Sequence, residues 1–128
     1  MSKENKFAAD LARLLKKQGA IVCSYVASSF GLAGFPDKIV ISRPWVGFIE
    51  LKSNDRQLTP RQFVVLREIN RRRVWTGVEV REISENSVEC EVTMHLPDDC
   101  DVPHGHYVVR RDALLEFLGK KVKSAMNE

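Results

Sequence analysis

The stretch Gly34-Phe35-Pro36-Asp37, followed after an apolar run by Phe48-Ile49-Glu50-Leu51-Lys52, decides the fold of this chain. Its two carboxylates and its lysine lie in segments rich in Val, Ile and Phe, which are typical of buried strands. Burying an ion in a sheet costs several kcal/mol unless the ion is paired or ligated. The three charges therefore predict a functional site within the sheet.

The segments around these charges predict a β-hairpin. Residues 38–42 and 46–51 are short, apolar and β-branched, and the Arg-Pro-Trp sequence between them is typical of a turn. Because side chains alternate along a strand, Glu50 and Lys52 face one side of the sheet and their neighbours face the core. The antiparallel return brings Asp37 opposite or diagonal to them.

The residue types indicate a particular chemistry. Two carboxylates and a backbone carbonyl form an oxygen-only pocket, which suits Mg²⁺ or Mn²⁺ better than zinc. The lysine two residues after Glu50 adds a positive charge beside such an ion. A metal ion and an ammonium group together suit phosphoryl chemistry, because both neutralise charge that develops on a phosphate.

Pro36-Asp37 followed by Glu50-Leu51-Lys52 resembles the PD-(D/E)xK nuclease superfamily. The preceding Gly34-Phe35 and the later Leu58-Thr59-Pro60-Arg61-Gln62 are similar to its VRR-NUC-like branch, near the Holliday-junction resolvases. The resemblance covers residues 3–80. It implies a restriction-endonuclease-like α/β fold with an αβββαβ core and a mixed sheet, dependence on a divalent metal, and hydrolysis of DNA phosphodiesters that leaves a 5′-phosphate.

The resemblance also implies roles for individual residues. Asp37 and Glu50 would be metal ligands, and the Leu51 carbonyl would be a further ligand. Lys52 would position water or stabilise the phosphate, and Gln62 would support the site. The implied ion is Mg²⁺, for which Mn²⁺ can substitute.

A first amphipathic helix is predicted over residues 2–18, from apolar residues at helical spacing: Phe7, Leu11, Leu14 and Leu15. Glu4 lies within the apolar arc, one turn before the first of them. Members of the superfamily often carry an acidic residue on the first helix that helps the metal site, so Glu4 is a candidate for that role. The alternative is that Glu4 complements the helix N-terminal dipole.

A second helix is predicted to begin with Thr59 as N-cap and Pro60 at the first helical position, and to end near residue 72. Thr59-x-x-Gln62 is also a capping-box pattern, so helix structure alone explains this glutamine. The two roles are compatible. The position of Gln62 on the inward stripe, at the end nearest Lys52, favours a contribution to the site.

The net charge of +3, from 20 basic and 17 acidic residues, does not by itself indicate nucleic-acid binding. Its distribution is more informative, because five arginines flank the motif or end the second helix and are candidate phosphate contacts: Arg56, Arg61, Arg71, Arg72 and Arg73. For the run at 71–73, the alternative is a favourable cluster of cations at a helix C-terminus.

The remaining chain is interpreted as accessory structure. Residues 74–83 and 88–96 predict a hairpin, and Pro97 and Pro103 bound an expected exposed loop. Residues 111–126 predict a helix with an apolar stripe that either covers the sheet or packs against a second subunit: Leu115, Leu118, Val122 and Ala125.

We expect a single nuclease-like domain over residues 1–128, with its core at about 3–83 and its accessory hairpin and helix at about 84–126. Three cysteines without CxxC spacing argue against a disulfide framework. No stretch predicts a signal peptide or a membrane span. The expected location is therefore the cytoplasm of a bacterium or of a phage-infected host cell.

The function that we predict is a Mg²⁺-dependent endodeoxyribonuclease, with branched DNA and junctions as candidate substrates. Because one chain offers one active site, cleavage of two strands implies a homodimer. The alternative is a DNA-binding or partner-binding protein that keeps the nuclease fold without useful turnover. Cleavage in the presence of a divalent metal distinguishes the two.

Overall fold

The computed structural model describes residues 3–25, 33–72, 75–95 and 105–126, and for residues 3–5 and 122–126 it describes the backbone alone. Within these ranges lie three α-helices: α1 (Lys3–Lys17), α2 (Pro60–Arg71) and α3 (Leu114–Met126). The strands of the same ranges are β1 (Ile21–Ser24), β2 (Lys38–Ile41), β3 (Val46–Lys52), β4 (Thr76–Glu82), β5 (Glu89–Met94) and β6 (Gly105–Arg110). None of the helices described here combines the length and the apolar character that crossing a membrane requires.

The described strands form one mixed sheet of six strands whose spatial order follows the chain order. β1, β2 and β3 pair antiparallel, and α2 then carries the chain to β4, which pairs parallel with β3. β5 and β6 add antiparallel at the other side. The predicted αβββαβ order and the mixed sheet are confirmed.

The main core lies between one face of this sheet and helices α1 and α3. Ile49 and Leu51 of β3 point into it, as the alternation of side chains predicts, and they meet Phe7 of α1. Leu115 and Leu118 of α3 are buried in the same cluster. The stripe on α3 therefore covers the sheet, and these two leucines are not available as a subunit interface. The side chains of Val122 and Ala125 lie outside the described residues.

Helix α2 packs on the opposite face, where Gly77 of β4 permits its close approach. A Cβ atom on Gly77 would lie 2.7 Å from Leu66 Cδ2, so a larger residue would displace the Leu66 side chain. The buried Asn70 side chain accepts from the Gly77 N–H at 2.7 Å and donates to the carbonyls of Gly77 and His95, each at 3.0 Å. These bonds fix α2 over the face of the sheet that carries Glu50.

The bounds of the observed elements agree in part with those predicted from the sequence. The hairpin predicted over 74–83 and 88–96 is present as β4 and β5, and Asn86 in its turn has a positive φ of 61°. Strand β1 begins at Ile21, and the predicted C-terminal helix starts with a 3₁₀ turn, Arg111–Ala113, before α3.

Strand β6 was not predicted. The prolines before it suggested a loop, yet the run Tyr107-Val108-Val109 has the β-branched and aromatic composition of a strand. β6 is an edge strand of the sheet as described, and Val108 on it is 55% exposed. Burial alternates along β6, but the exposed Val108 is apolar, so the sequence does not show the alternation of apolar and polar residues that makes a strand easy to recognise.

Candidate active site

The two carboxylates of the motif lie together, as predicted. Asp37 immediately precedes β2, and its backbone N–H donates to Glu50 Oε2 of β3 at 3.1 Å. In return, the Leu51 N–H donates to Asp37 Oδ2 at 3.0 Å. Each carboxylate is thus aligned by the backbone next to the other. A carboxylate oxygen that accepts one hydrogen bond keeps a lone pair, so both groups retain the capacity to bind a cation.

Lys52 places a buried ammonium group beside the carboxylate of Glu50. Its ammonium Nζ lies 3.7 Å from Glu50 Oε1, and the two residues are only 6% and 2% exposed. Both side chains project from β3 toward α2, two residues apart on the same face. A lysine held this close to a carboxylate pair, in a region of low dielectric, acts on a bound anion with little screening.

Gln62 joins the start of α2 to this cluster. The Gln62 side-chain oxygen accepts from the Thr59 backbone N–H at 2.9 Å, and the Gln62 backbone N–H donates to Thr59 Oγ1 at 3.1 Å. These two bonds form the predicted capping box. The amide Nε2 of the same side chain donates to Glu50 Oε1 at 2.8 Å. One residue therefore caps the helix and contacts the motif glutamate.

The segment that leads into Asp37 is also fixed by packing. Gly34 has φ +83°, a conformation that favours glycine, and a Cβ there would lie 2.6 Å from Arg61 Cγ. The Arg61 Nε donates to the Ala33 carbonyl at 3.2 Å. The glycine of the quoted stretch is therefore explained by the close approach of α2.

A second buried group of charges, which the sequence interpretation missed, lies beside the first. Glu79 and Arg81 of β4 are the register partners of Glu50 and Lys52, and they form an ion pair. His95 Nε2 lies 3.2 Å from Glu79 Oε1. Burial raises the pKa of Glu79, but the hydrogen bonds and charges of His95 and Arg81 outweigh it and leave the pKa below its ordinary value.

This second group had a recognisable signal. Glu79-Val80-Arg81 repeats the acid-x-base spacing of Glu50-Leu51-Lys52 within an apolar strand. The reasoning that identified the first group, namely that buried charges in a strand need partners, applies equally to the second.

The candidate DNA-contacting arginines occupy two places. Arg56 and Arg61 are exposed near the carboxylates, in the loop before α2 and in its first turn. Arg71 and Arg72 are exposed at the other end of α2, about 14 Å from Gln62 at 1.5 Å per helical residue. Arg72 pairs with Glu68 at 3.3 Å. Arg73 and the side chain of Glu4 lie outside the described residues.

The donor set fits a hard divalent cation. Within the part of the chain that is described, no three His, Cys, Asp or Glu side chains cluster as ligands, so Asp37 and Glu50 would be the side-chain donors. Mg²⁺ is commonly bound through one or two carboxylates while it keeps several waters. The carboxylates of Asp37 and Glu50 lie next to the Leu51 backbone and supply oxygen donors only, which meets the requirement of Mg²⁺. They do not supply the Cys and His ligands of a structural zinc site.

Comparison with known proteins places the fold. No protein-family model matches the sequence, and no curated protein matches it. The structure is similar to that of Hjc from Archaeoglobus fulgidus, a Holliday junction resolvase from an archaeal hyperthermophile, with a TM-score of 0.58 and 14% sequence identity. The match covers 91% of this chain and 98% of the resolvase.

The fold is resolvase-like. At this level of identity the match shows the fold and no more, but it extends over nearly the whole chain. The match therefore includes the region beyond residue 80, where the sequence itself resembled nothing.

Proposed function

We propose that this chain is a Mg²⁺-dependent endodeoxyribonuclease of the PD-(D/E)xK type that cuts branched DNA. The observation that carries the proposal is the contact of Asp37, Glu50 and Lys52 in a buried cluster on a resolvase-like fold. Carboxylates for a cation and an ammonium for a phosphate are the two elements that phosphodiester hydrolysis requires. The substrate class is taken from the archaeal Holliday junction resolvase that the structure resembles.

In the mechanism that we propose, Asp37 and Glu50 hold the cation together with the Leu51 carbonyl. When bound, the cation would act as a Lewis acid on the phosphate and favour deprotonation of an attacking water. Lys52 donates hydrogen bonds to a phosphate oxygen or to that water, which neutralises charge as in-line attack proceeds. Gln62 keeps Glu50 in orientation through its amide. The bond between phosphorus and the attacking water forms as the P–O3′ bond breaks, so one product end carries a 5′-phosphate and the other a 3′-hydroxyl.

The residues around this cluster would bind and place the DNA. Arg56 and Arg61 flank the carboxylates and would contact backbone phosphates, and the arginines at the end of α2 would extend the path. Such contacts position a duplex without reading its sequence. We propose a homodimer, because symmetric cutting of a junction requires two sites. Its interface would lie away from Leu115 and Leu118, which are buried in the core.

The test is cleavage of end-labelled linear, flapped and four-way DNA in Mg²⁺, in Mn²⁺ and in EDTA. We expect cutting with either metal, none in EDTA, and a preference for the branched substrates. If the wild type binds these DNAs and no metal supports cutting of any of them, the protein is a DNA-binding member of the fold without turnover. Light scattering at micromolar concentration tests the dimer separately.

A further inference from the structure

Arg81 on β4 lies beside the proposed catalytic lysine. Arg81 and Lys52 are register partners on parallel strands and face the same side of the sheet. Neighbouring strands are about 4.8 Å apart, so two cations are placed side by side in a buried region. Such an arrangement is costly unless each cation has its own partner. Glu79 supplies that partner for Arg81, and Glu50 supplies it for Lys52.

The guanidinium of Arg81 reaches beyond its own strand. Its Nη2 donates to Glu79, while its Nη1 donates to the Ser53 carbonyl at 2.7 Å and to the Arg56 carbonyl. Ser53 is the residue directly after Lys52, and it is 5% exposed. The planar fork of an arginine can make these contacts together, which a lysine cannot. Arg81 thus binds the backbone on both sides of the turn that follows β3.

Other contacts hold the same turn against β4. The Arg56 N–H donates to the Ser53 carbonyl at 3.2 Å, and Asn54 Nδ2 donates to the Ile83 carbonyl at 3.1 Å. On the other side of the ion pair, the contact between His95 and Glu79 fixes the carboxylate to which Arg81 is bound. His95 and Glu79 therefore fix the guanidinium of Arg81, and the guanidinium fixes the turn that follows β3.

We propose that Arg81 is a positioning residue, which sets the place of Lys52 in the active site by fixing the peptide that follows it. The proposal rests on the nuclease function proposed above. The contacts of Arg81 Nη1 and Nη2 are with protein carbonyls and with Glu79, which assigns the guanidinium to the protein backbone and not to the substrate. Its loss would let the turn and the end of β3 shift, and shifts of about 1 Å in a catalytic group can lower a rate 10²-fold.

The test compares Arg81→Met with Arg111→Met on a labelled four-way junction in Mg²⁺. Arg111 is a matched control, because it is a buried arginine paired with a buried glutamate, Glu82, on the opposite face. The two arginine side chains are 14% and 13% exposed and their glutamates are each 8% exposed. A general loss of a buried cation would therefore affect both variants alike.

We expect Arg81→Met to lower kcat by about 10- to 100-fold with little change in KM and with unchanged Mn²⁺ binding. Arg111→Met should lower the melting temperature and leave kcat near that of the wild type. In a Lys52→Ala background, Arg81→Met should cause little further loss, because the residue through which it acts is gone. A full kcat in Arg81→Met, or losses that multiply in the double variant, would overturn the proposal.

A readout without activity separates this proposal from the proposed function. Amide hydrogen exchange in residues 53–56 should become faster in Arg81→Met and stay unchanged in Arg111→Met. If the wild type cuts no DNA, the proposed nuclease function fails, and the exchange result still decides whether Arg81 fixes the turn. Unchanged exchange in Arg81→Met would overturn the positioning role whatever the activity.

Discussion

Two neighbouring strands of the sheet, β3 and β4, carry the same acid-x-base pattern of charges but surround it with different partners. On β3, Glu50 and Lys52 are 3.7 Å apart at their closest, and Glu50 also contacts Asp37 and Gln62 from other elements. On β4, the matching glutamate and Arg81 are tightly paired, and the arginine is further bonded to backbone carbonyls. The first pair retains capacity for an external ligand, and the second is satisfied by the protein.

The difference teaches that an acid-x-base pattern in a buried strand does not itself define a site. What distinguishes β3 is the second carboxylate, which the lead-in to β2 places beside Glu50. Beside Glu79, the neighbouring strand β5 places Thr93 and not an acid, and the carboxylate of Glu91 lies opposite Arg81.

Metal binding should depend on the first group alone. Mn²⁺ titrated into the wild type should give a saturable heat signal and raise the melting temperature, since a ligand at a hundredfold excess over its Kd stabilises the fold by about 2.7 kcal/mol. Asp37→Asn should abolish both responses. Glu79→Gln, a change in an equally buried glutamate one strand away, should keep them. Mn²⁺ binding that survives in Asp37→Asn/Glu50→Gln would falsify the site.

The lysine of the first group should be needed for cutting and not for binding. Lys52→Ala should reduce kcat on a labelled junction by about 10²-fold or more, the scale for one electrostatic contributor, with DNA affinity within several-fold. Lys38→Ala is the control. Lys38 lies on the adjacent strand β2, and its Nζ donates to Ser24 Oγ at 2.7 Å, so the ammonium is directed away from the carboxylates. Equal kcat in the two variants would remove Lys52 from the mechanism.

The two functions of Gln62 should be separable. Thr59→Ala removes the helix cap alone and should cost about 1 kcal/mol of stability with nearly normal cleavage. Gln62→Leu removes the cap partner and the hydrogen bond to Glu50, so it should cost similar stability and also about 10-fold or more in kcat. Urea denaturation and single-turnover cleavage measure the two effects. If both variants cut equally well, Gln62 serves only the helix.

Exposed arginines on α2 and on α1 should differ in their effect on DNA affinity. Each of Arg61→Ala and Arg71→Ala should reduce the slope of log affinity against log salt by about 0.9 on duplex DNA, without altering sequence preference. Arg13→Ala is the matched control, because this exposed arginine lies on α1, the helix that covers the other face. Fluorescence anisotropy at several salt concentrations gives the slopes, and a slope that Arg13→Ala lowers equally would mean that charge alone matters.

The smallest effect concerns acid stability. Because the pKa of Glu79 is lowered in the folded protein, its contribution to stability is present above the unfolded pKa of about 4.3 and is lost as the pH falls below that value. The melting temperature of Glu79→Gln should therefore be lower than that of the wild type at neutral pH, and the gap should narrow from about pH 5 downward. A gap that is constant with pH would show that the charge of Glu79 is not involved.

The parts of the site that could be predicted from the sequence depend on local signals. The hairpin that joins Asp37 to Glu50 follows from two β-branched runs and a turn, and the start of α2 follows from its cap and proline. These signals act over a few residues, so a single sequence contains them. They were enough to bring the carboxylates, the lysine and Gln62 together.

What was missed depends on pairing between distant segments. The register that places Glu79 beside Glu50 on the parallel pair β3 and β4 is decided by how α2 packs across the sheet. The contact of Arg81 with the turn after Lys52 follows from that register and from nothing local. Strand β6 was missed because the exposed Val108 places an apolar residue on its outward face, which hides the alternation of apolar and polar residues in the sequence.

The order of the strands has a consequence for how the protein folds. Because the sheet is built in chain order, most of its pairings close short loops, and proteins rich in local contacts fold quickly. Asp37, Glu50, Lys52 and Gln62 all precede β4, so on a ribosome they emerge before the strand that carries Arg81. The groups proposed for chemistry thus lie in a segment that is synthesised before Arg81, and the strand that fixes the turn after Lys52 is added to it afterwards.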